Sequence, residues 1–153
     1  MIMIETKKLY KSYKDFDTTN WRWPHFSPKE LACKCNKYCD GEYFHDPAFL
    51  DALEKMRLGV GALQINSARR CPKHNDEVGG APLSMHKIEI AVDIKVAPHR
   101  RIELYEAATK AGFKGFGFGV NFLHLDLGNR RRWDYPGGLI LWKKALGFNP
   151  IQN

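Results

Sequence analysis

The stretch Phe122-Leu123-His124-Leu125-Asp126-Leu127 decides how the fold is read. In an extended chain, successive side chains point to opposite faces. Phe122, His124 and Asp126 therefore share one face, and Leu123, Leu125 and Leu127 share the other. The leucines supply the apolar underside of a sheet, while the opposite face sets an imidazole beside a carboxylate. A polar face on a central strand needs a chemical reason. The plain alternative for His124 is a satisfied core histidine.

Working upstream, residues 91–97 are rich in β-branched side chains and predict a second strand. Asp93 lies on it, and His86 lies in the loop before it. Leu63 to Asn66 predicts a further short strand. Helices are expected between and around these segments. Ser27-Pro28-Lys29-Glu30 is a helix start, with Ser27 as cap, Pro28 in the first turn and Glu30 completing a capping box. Asp46-Pro47 opens a helix through about Leu58, in which Phe49, Leu50, Leu53 and Met56 recur at helical spacing before Gly59 and Gly61 stop it. Cys71 to Val78 predicts a short helix ended by Gly79-Gly80, and Pro98 starts one that runs to about Ala111 and Gly112. Leu139 to Trp142 reads as a terminal strand or packing segment, with docking to a larger particle as the alternative.

The chain of 153 residues suits one compact domain, with 1–19 and 134–153 as extensions to its core. With 44% hydrophobic and 27% charged residues it has the composition of a soluble globular protein. No apolar run reaches the ~18–20 residues of a membrane-spanning helix, so membrane insertion is not expected. The N-terminal MIMIETKKLYKSYKDF lacks the pattern of a secretory signal peptide. The formal charge of +7 favours polyanionic partners, but the basic residues are scattered apart from Arg130, Arg131 and Arg132. No nucleic-acid-binding motif accompanies them, so no specific nucleic-acid partner is expected. Cys33, Cys35 and Cys39 crowd together and Cys71 follows later. The spacing fits no standard zinc finger or ribbon, and structural zinc, disulfides and free thiols stay equally open for these four, because the choice depends on the redox compartment.

His86, Asp93 and His124 are residue types that hold zinc, and a His-rich three-ligand site with an open position is a catalytic layout. The motifs SARRCPKHNDEVGG (67–80), SMHKIEIAVDI (84–94), GFKGFGFG (112–119) and HLDLG (124–128) stand in order along the chain. Together they resemble the hedgehog/D-alanyl-D-alanine peptidase superfamily, in particular its small phage and bacterial peptidoglycan-peptidase branch. The resemblance runs from about residue 20 to 133. It implies an α+β fold, with a small, mainly antiparallel sheet carrying Zn2+ on one face and helices packed around it.

Carried over to this chain, the pattern S-x-H-x-x-G-x-A-x-D implies His86 and Asp93 as zinc ligands, with His124 as the third. Arg70 falls where the family has an arginine that polarises the scissile carbonyl, and Arg69 beside it is expected to be a solvated neighbour. Ser84 is expected to hydrogen-bond the peptide substrate or else to cap its own loop. Some relatives place an acid three residues before the strand histidine, where this chain has Asn121. Asp126 is then the candidate general base, with orientation of His124 or metal binding as alternatives. Glu89 stands where the family has glycine. It is expected to alter the turn, narrow the substrate cleft or add a carboxylate there.

The implied activity is zinc-dependent hydrolysis of peptidoglycan stem or cross-link peptides, by an endopeptidase rather than a D,D-carboxypeptidase. The alternative is a non-catalytic zinc module of the same fold, structural or docking in role, for example in a phage particle. The expected partners are peptidoglycan peptide and, for a particle-borne protein, phage tail or virion proteins. Such a protein is made in the cytoplasm and reaches the wall or periplasm after lysis, or is carried in a virion.

Overall fold

The computed structural model describes residues 6–152. The stretch inspected for a signal peptide begins in residues 1–5, which lie outside the described residues. The fold is α+β, with helices and small, mostly antiparallel sheets, and the chain divides into two compact units.

The first unit comprises the described residues of 1–54 together with 67–91. Its strand β1, Lys8–Tyr10, pairs antiparallel with β2, Tyr43–His45. Between them, α1 is only one turn, Pro28–Leu31, and Ser27 Oγ accepts from the Glu30 N–H at 3.2 Å as the capping pattern predicts. Tyr10, Phe16, Trp21, Trp23, Tyr43 and His45 pack ring against ring in this unit. Trp23 is buried, and its indole N–H is satisfied by Asp51 Oδ1 at 2.8 Å. Helix α2, Pro47–Val60, starts where Asp46 Oδ1 accepts from Ala48 N–H at 3.1 Å, and its residues to Glu54 belong to this unit. Gly61, at φ 84°, ends it in the left-handed region that glycine enters without a Cβ penalty.

The second unit holds most of a five-stranded sheet. Its strands are β3, Ile65–Ser67; β4, Val92–Lys95; β5, Gly115–Phe118; β6, Phe122–Asp126; and β7, Arg131–Asp134. The order is β3-β4-β6-β5-β7. The β4–β6 and β5–β6 ladders are antiparallel and β5–β7 is parallel. The first unit also contains two short helices, α3, Pro72–Glu77, and α4, Met85–Ile88. The second contains α5, Arg101–Ala111, and α6, Gly138–Leu146.

Leu123 and Leu125 of β6 are fully buried, as the alternation predicts, together with Phe116, Phe118 and Leu104. The opposite face of β6 is buried too: His124 is 3% exposed and Asp126 0%. The sequence offered Leu139 to Trp142 as a strand or packing segment, and the structure makes it helical. Gly137, at φ 83°, turns the chain into α6. Trp142 then lies fully buried, edge-on to Phe118, and donates its indole N–H to Gly119 O at 2.8 Å. A strand would place only alternate residues inward, whereas a helix turns one bulky side chain per turn towards the sheet.

Trp142→Ala removes that side chain and its hydrogen bond together. It should lower the free energy of unfolding by about 3–5 kcal/mol, measured by urea denaturation. A loss below about 0.5 kcal/mol, the level of an ordinary surface substitution, would place α6 outside the core.

Candidate metal centre

Asp93 and His124 are direct partners across the β4–β6 ladder. Strand pairing alone therefore brings their side chains together on one face. Asp93 Oδ1 lies 3.2 Å from His124 Nδ1, and His124 Nε2 lies 2.7 Å from Asp126 Oδ2. A carboxylate can only accept, so Nε2–H is the donor to Asp126. In the neutral ring Nδ1 then carries a lone pair and faces the Asp93 oxygen. Two lone pairs at that distance need a proton or a cation between them. Burial lowers the His124 pKa, but the bonds to Asp126 and Asp93 outweigh it and raise the pKa above the ordinary value.

Asp126 is held through both of its oxygens. Its Oδ2 is also bound by Arg131 Nη2 at 2.8 Å. Its Oδ1 accepts from Arg131 Nη1 at 2.9 Å and from Gly128 N–H at 2.9 Å. Burial raises its pKa, yet the bonds from His124 and Arg131 outweigh this and hold it at about 2. Both oxygens are engaged and the group has little affinity for a proton. Of the roles open to Asp126 from sequence, this geometry favours orienting His124 over accepting a proton.

The sequence reading missed Arg131, which it took only as part of a basic run, and the glycines that make room for it. Gly115 pairs with Asp126, and a Cβ there would stand 2.2 Å from Asp126 Oδ1 and 2.6 Å from Arg131 Nη1. Gly117 pairs with His124, and a Cβ there would meet the Trp133 and Tyr135 rings at 2.7–2.8 Å. Trp133 packs against the His124 ring at 4.9 Å between centroids. The alternation Gly-Phe-Gly-Phe over 115–118 was the available signal: one face is emptied while Phe116 and Phe118 fill the other.

In the first unit, His86 sits in α4, a one-turn helix where a loop was expected. Ser84 Oγ accepts from the His86 N–H at 3.2 Å, which is the capping role left open for Ser84. His86 Nδ1 lies 2.6 Å from Ala68 O. A carbonyl only accepts, so Nδ1–H is the donor and Nε2 carries the lone pair. Buried His86 is thus oriented for ligation through Nε2, as a backbone carbonyl commonly does for metal-binding histidines.

Arg69 is not the solvated neighbour expected from sequence. It is 4% exposed, binds Glu42 Oε2 through Nε at 3.0 Å and Nη2 at 2.8 Å, and donates through Nη1 to Lys87 O and, at 2.8 Å, to Glu89 O. A planar fork of donors suits this task, because it can tie two loop carbonyls and a carboxylate at once. Arg70 is half-buried. Its Nε bonds Ser67 Oγ at 3.3 Å, its Nη1 bonds Asn75 Oδ1 at 2.9 Å, and its N–H donates to His86 O at 2.7 Å. Glu89 follows α4 with φ −134°, so no left-handed conformation demands glycine there. Its carboxylate pairs with Lys7 at 2.7 Å.

His86 in the first unit, and Asp93 and His124 in the second, are residues that could contribute to holding a metal ion. Two imidazole nitrogens and a carboxylate oxygen are a donor set suited to zinc. Among the described residues no helix is long and apolar enough to cross a membrane. A family model described as Peptidase M15 matches residues 24–126, about two thirds of the chain. No curated protein and no solved structure matches it.

Arg131→Ala should strip Asp126 of two charge-assisted bonds and lower stability by about 1.5–3 kcal/mol in urea denaturation. An unchanged midpoint would mean that Asp126 is satisfied without the guanidinium.

Proposed function

The chain belongs to the peptidase M15 family of metallopeptidases, and on that premise we propose a zinc-dependent hydrolase of peptidoglycan stem or cross-link peptides, acting as an endopeptidase rather than a D,D-carboxypeptidase. The observation that carries this reading is the donor set of His86, Asp93 and His124, two of them histidines whose second nitrogen already donates to an oxygen acceptor.

When bound, zinc supplies Lewis-acid polarisation and lowers the pKa of a water ligand. The protein's own residues do the rest. His86, Asp93 and His124 hold the ion. Asp126, charged and locked by Arg131, keeps His124 in one tautomer and one orientation. Arg70, whose guanidinium is steadied by Ser67 and Asn75, donates to the scissile carbonyl oxygen as it gains negative charge. Ser84 and Glu89 flank the His86 turn, where a bound peptide would pass. The substrate reading rests on the family resemblance, and the net charge of +7 suits an acidic wall polymer.

One observation favours a second reading, a non-catalytic zinc module of the same fold. Asn121 cannot accept a proton, and both oxygens of Asp126 are already engaged.

The deciding experiment is mass spectrometry of purified peptidoglycan fragments after digestion, with and without a chelator. Chelator-sensitive cleavage within cross-linked peptides is the expected result. Release of free D-alanine alone would indicate a carboxypeptidase, and no cleavage by zinc-loaded protein would establish the second reading. Arg70→Ala should retain zinc and slow turnover by roughly 10²–10³-fold; unchanged turnover removes Arg70 from the chemistry. Asp126→Ala should weaken zinc binding by about 10–100-fold, the usual loss for a group that orients a ligand. Wild-type zinc affinity with abolished turnover would instead make Asp126 the proton acceptor.

A further inference from the structure

Four cysteines converge in the first unit, away from any role in the hydrolytic reading. The sulfur atoms of Cys33, Cys35, Cys39 and Cys71 all lie within 4.8 Å of one another. Cys35 Sγ is 3.6 Å from Cys39 Sγ and 3.8 Å from Cys71 Sγ. A tetrahedron with Zn–S bonds of ~2.3 Å has sulfur–sulfur edges of about 3.8 Å. Disulfides join sulfurs in pairs at about 2.05 Å and give no reason for four to gather round one point. Four sulfurs gathered within 4.8 Å, with two of the pairs at tetrahedral edge length, make the arrangement that one shared cation requires.

Backbone N–H groups are turned towards the sulfurs of the cluster. Asn36, at φ 56°, turns the chain directly after Cys35, in the left-handed region that asparagine tolerates better than most residues. Backbone N–H groups of Lys37, Tyr38 and Cys39 are directed at Cys35. The Cys71 N–H points at Cys33 Sγ at 3.4 Å, and the Glu42 N–H points at Cys39 Sγ at 3.5 Å. Cys33 and Cys71 are buried and Cys35 and Cys39 half-buried, so the cluster is largely enclosed.

We propose that Cys33, Cys35, Cys39 and Cys71 bind a structural zinc ion that ties the 33–42 loop to the segment carrying Arg69 and Arg70. All four positions are filled by protein sulfur, so the site is closed and has no place for substrate. Binding releases the thiol protons to solvent and involves no redox change. Cys71 follows Arg70 directly in the chain. Arg69 N–H donates to Leu31 O at 3.1 Å, and Cys33 N–H donates to Glu42 O at 2.8 Å. Glu42 in turn holds the Arg69 guanidinium. The ion would close this loop of contacts and hold both arginines in place.

The test is metal analysis of the purified protein under reducing conditions, combined with mercurial titration of the thiols. Titration should release about one equivalent of zinc per chain with the thiols. Cobalt-substituted protein should show the sulfur-to-metal charge-transfer bands of tetrahedral thiolate coordination. The His86→Ala variant separates this site from the proposed hydrolytic one: it should keep the thiol-linked zinc and its cobalt spectrum. Cys71→Ser should lose them, and the wild-type titration serves if that variant does not fold. The proposal is overturned if the wild type has four freely titrating thiols and no thiol-linked metal. Native disulfides in the intact mass, or iron in place of zinc, would overturn it equally.

Discussion

A carboxylate with no exposure to solvent organises the second unit. Asp126 lies inside a sheet and is ionised, and a buried charge is tolerated only when it is paired and fully hydrogen-bonded. Its neighbours follow from that requirement. Arg131 has to arrive beside it, which the parallel β5–β7 pairing achieves by placing Arg131 opposite Gly115. Gly115 has to lack a side chain, since any Cβ would occupy the space of the Asp126–Arg131 pair. His124, two residues back on the same face, then has a fixed acceptor for Nε2, and Nδ1 is turned towards Asp93. The geometry of these two candidate ligands is thus a consequence of how the buried charge is satisfied.

The first unit solves a similar problem with an arginine. Arg69 is buried and divides its donors between Glu42 and the carbonyls of Lys87 and Glu89. Those carbonyls belong to the turn that carries His86, while Ala68 beside Arg69 accepts from the His86 ring. One short stretch, 67–71, therefore orients a candidate ligand, supplies the candidate oxyanion donor Arg70 and contributes a cysteine to the sulfur cluster. The neighbouring 33–42 loop braces this stretch, through Glu42 on the Arg69 guanidinium and Cys33 Sγ facing the Cys71 N–H.

Local chemistry was readable from the residues. Ser27, Asp46, Gly61 and Gly112 delimit helices where their capping and left-handed preferences say they should, because those preferences depend on the residue and its immediate neighbours. The alternation at 122–127 gave the β6 strand and its leucine underside. β5 was legible only as a motif. Its glycines weaken the period-2 signal, and their purpose lies in side chains that arrive from another strand.

The sequence by itself determined the strand bearing His124 and the residue types able to hold zinc, since each rests on periodicity or on side-chain chemistry, and its motifs implied the α+β class by resemblance. It left Asp126 open among base, ligand and support, treated Arg69 as a solvated neighbour and Arg131 as part of a basic run, and left the cysteines unassigned. Tertiary structure decided the geometry of all four. Burial and pairing are properties of what surrounds a group, and in each case the decisive neighbours come from another part of the chain: a strand partner for Asp126, backbone carbonyls for Arg69, a facing glycine for Arg131, and Cys71 for the cysteines of the 33–39 loop.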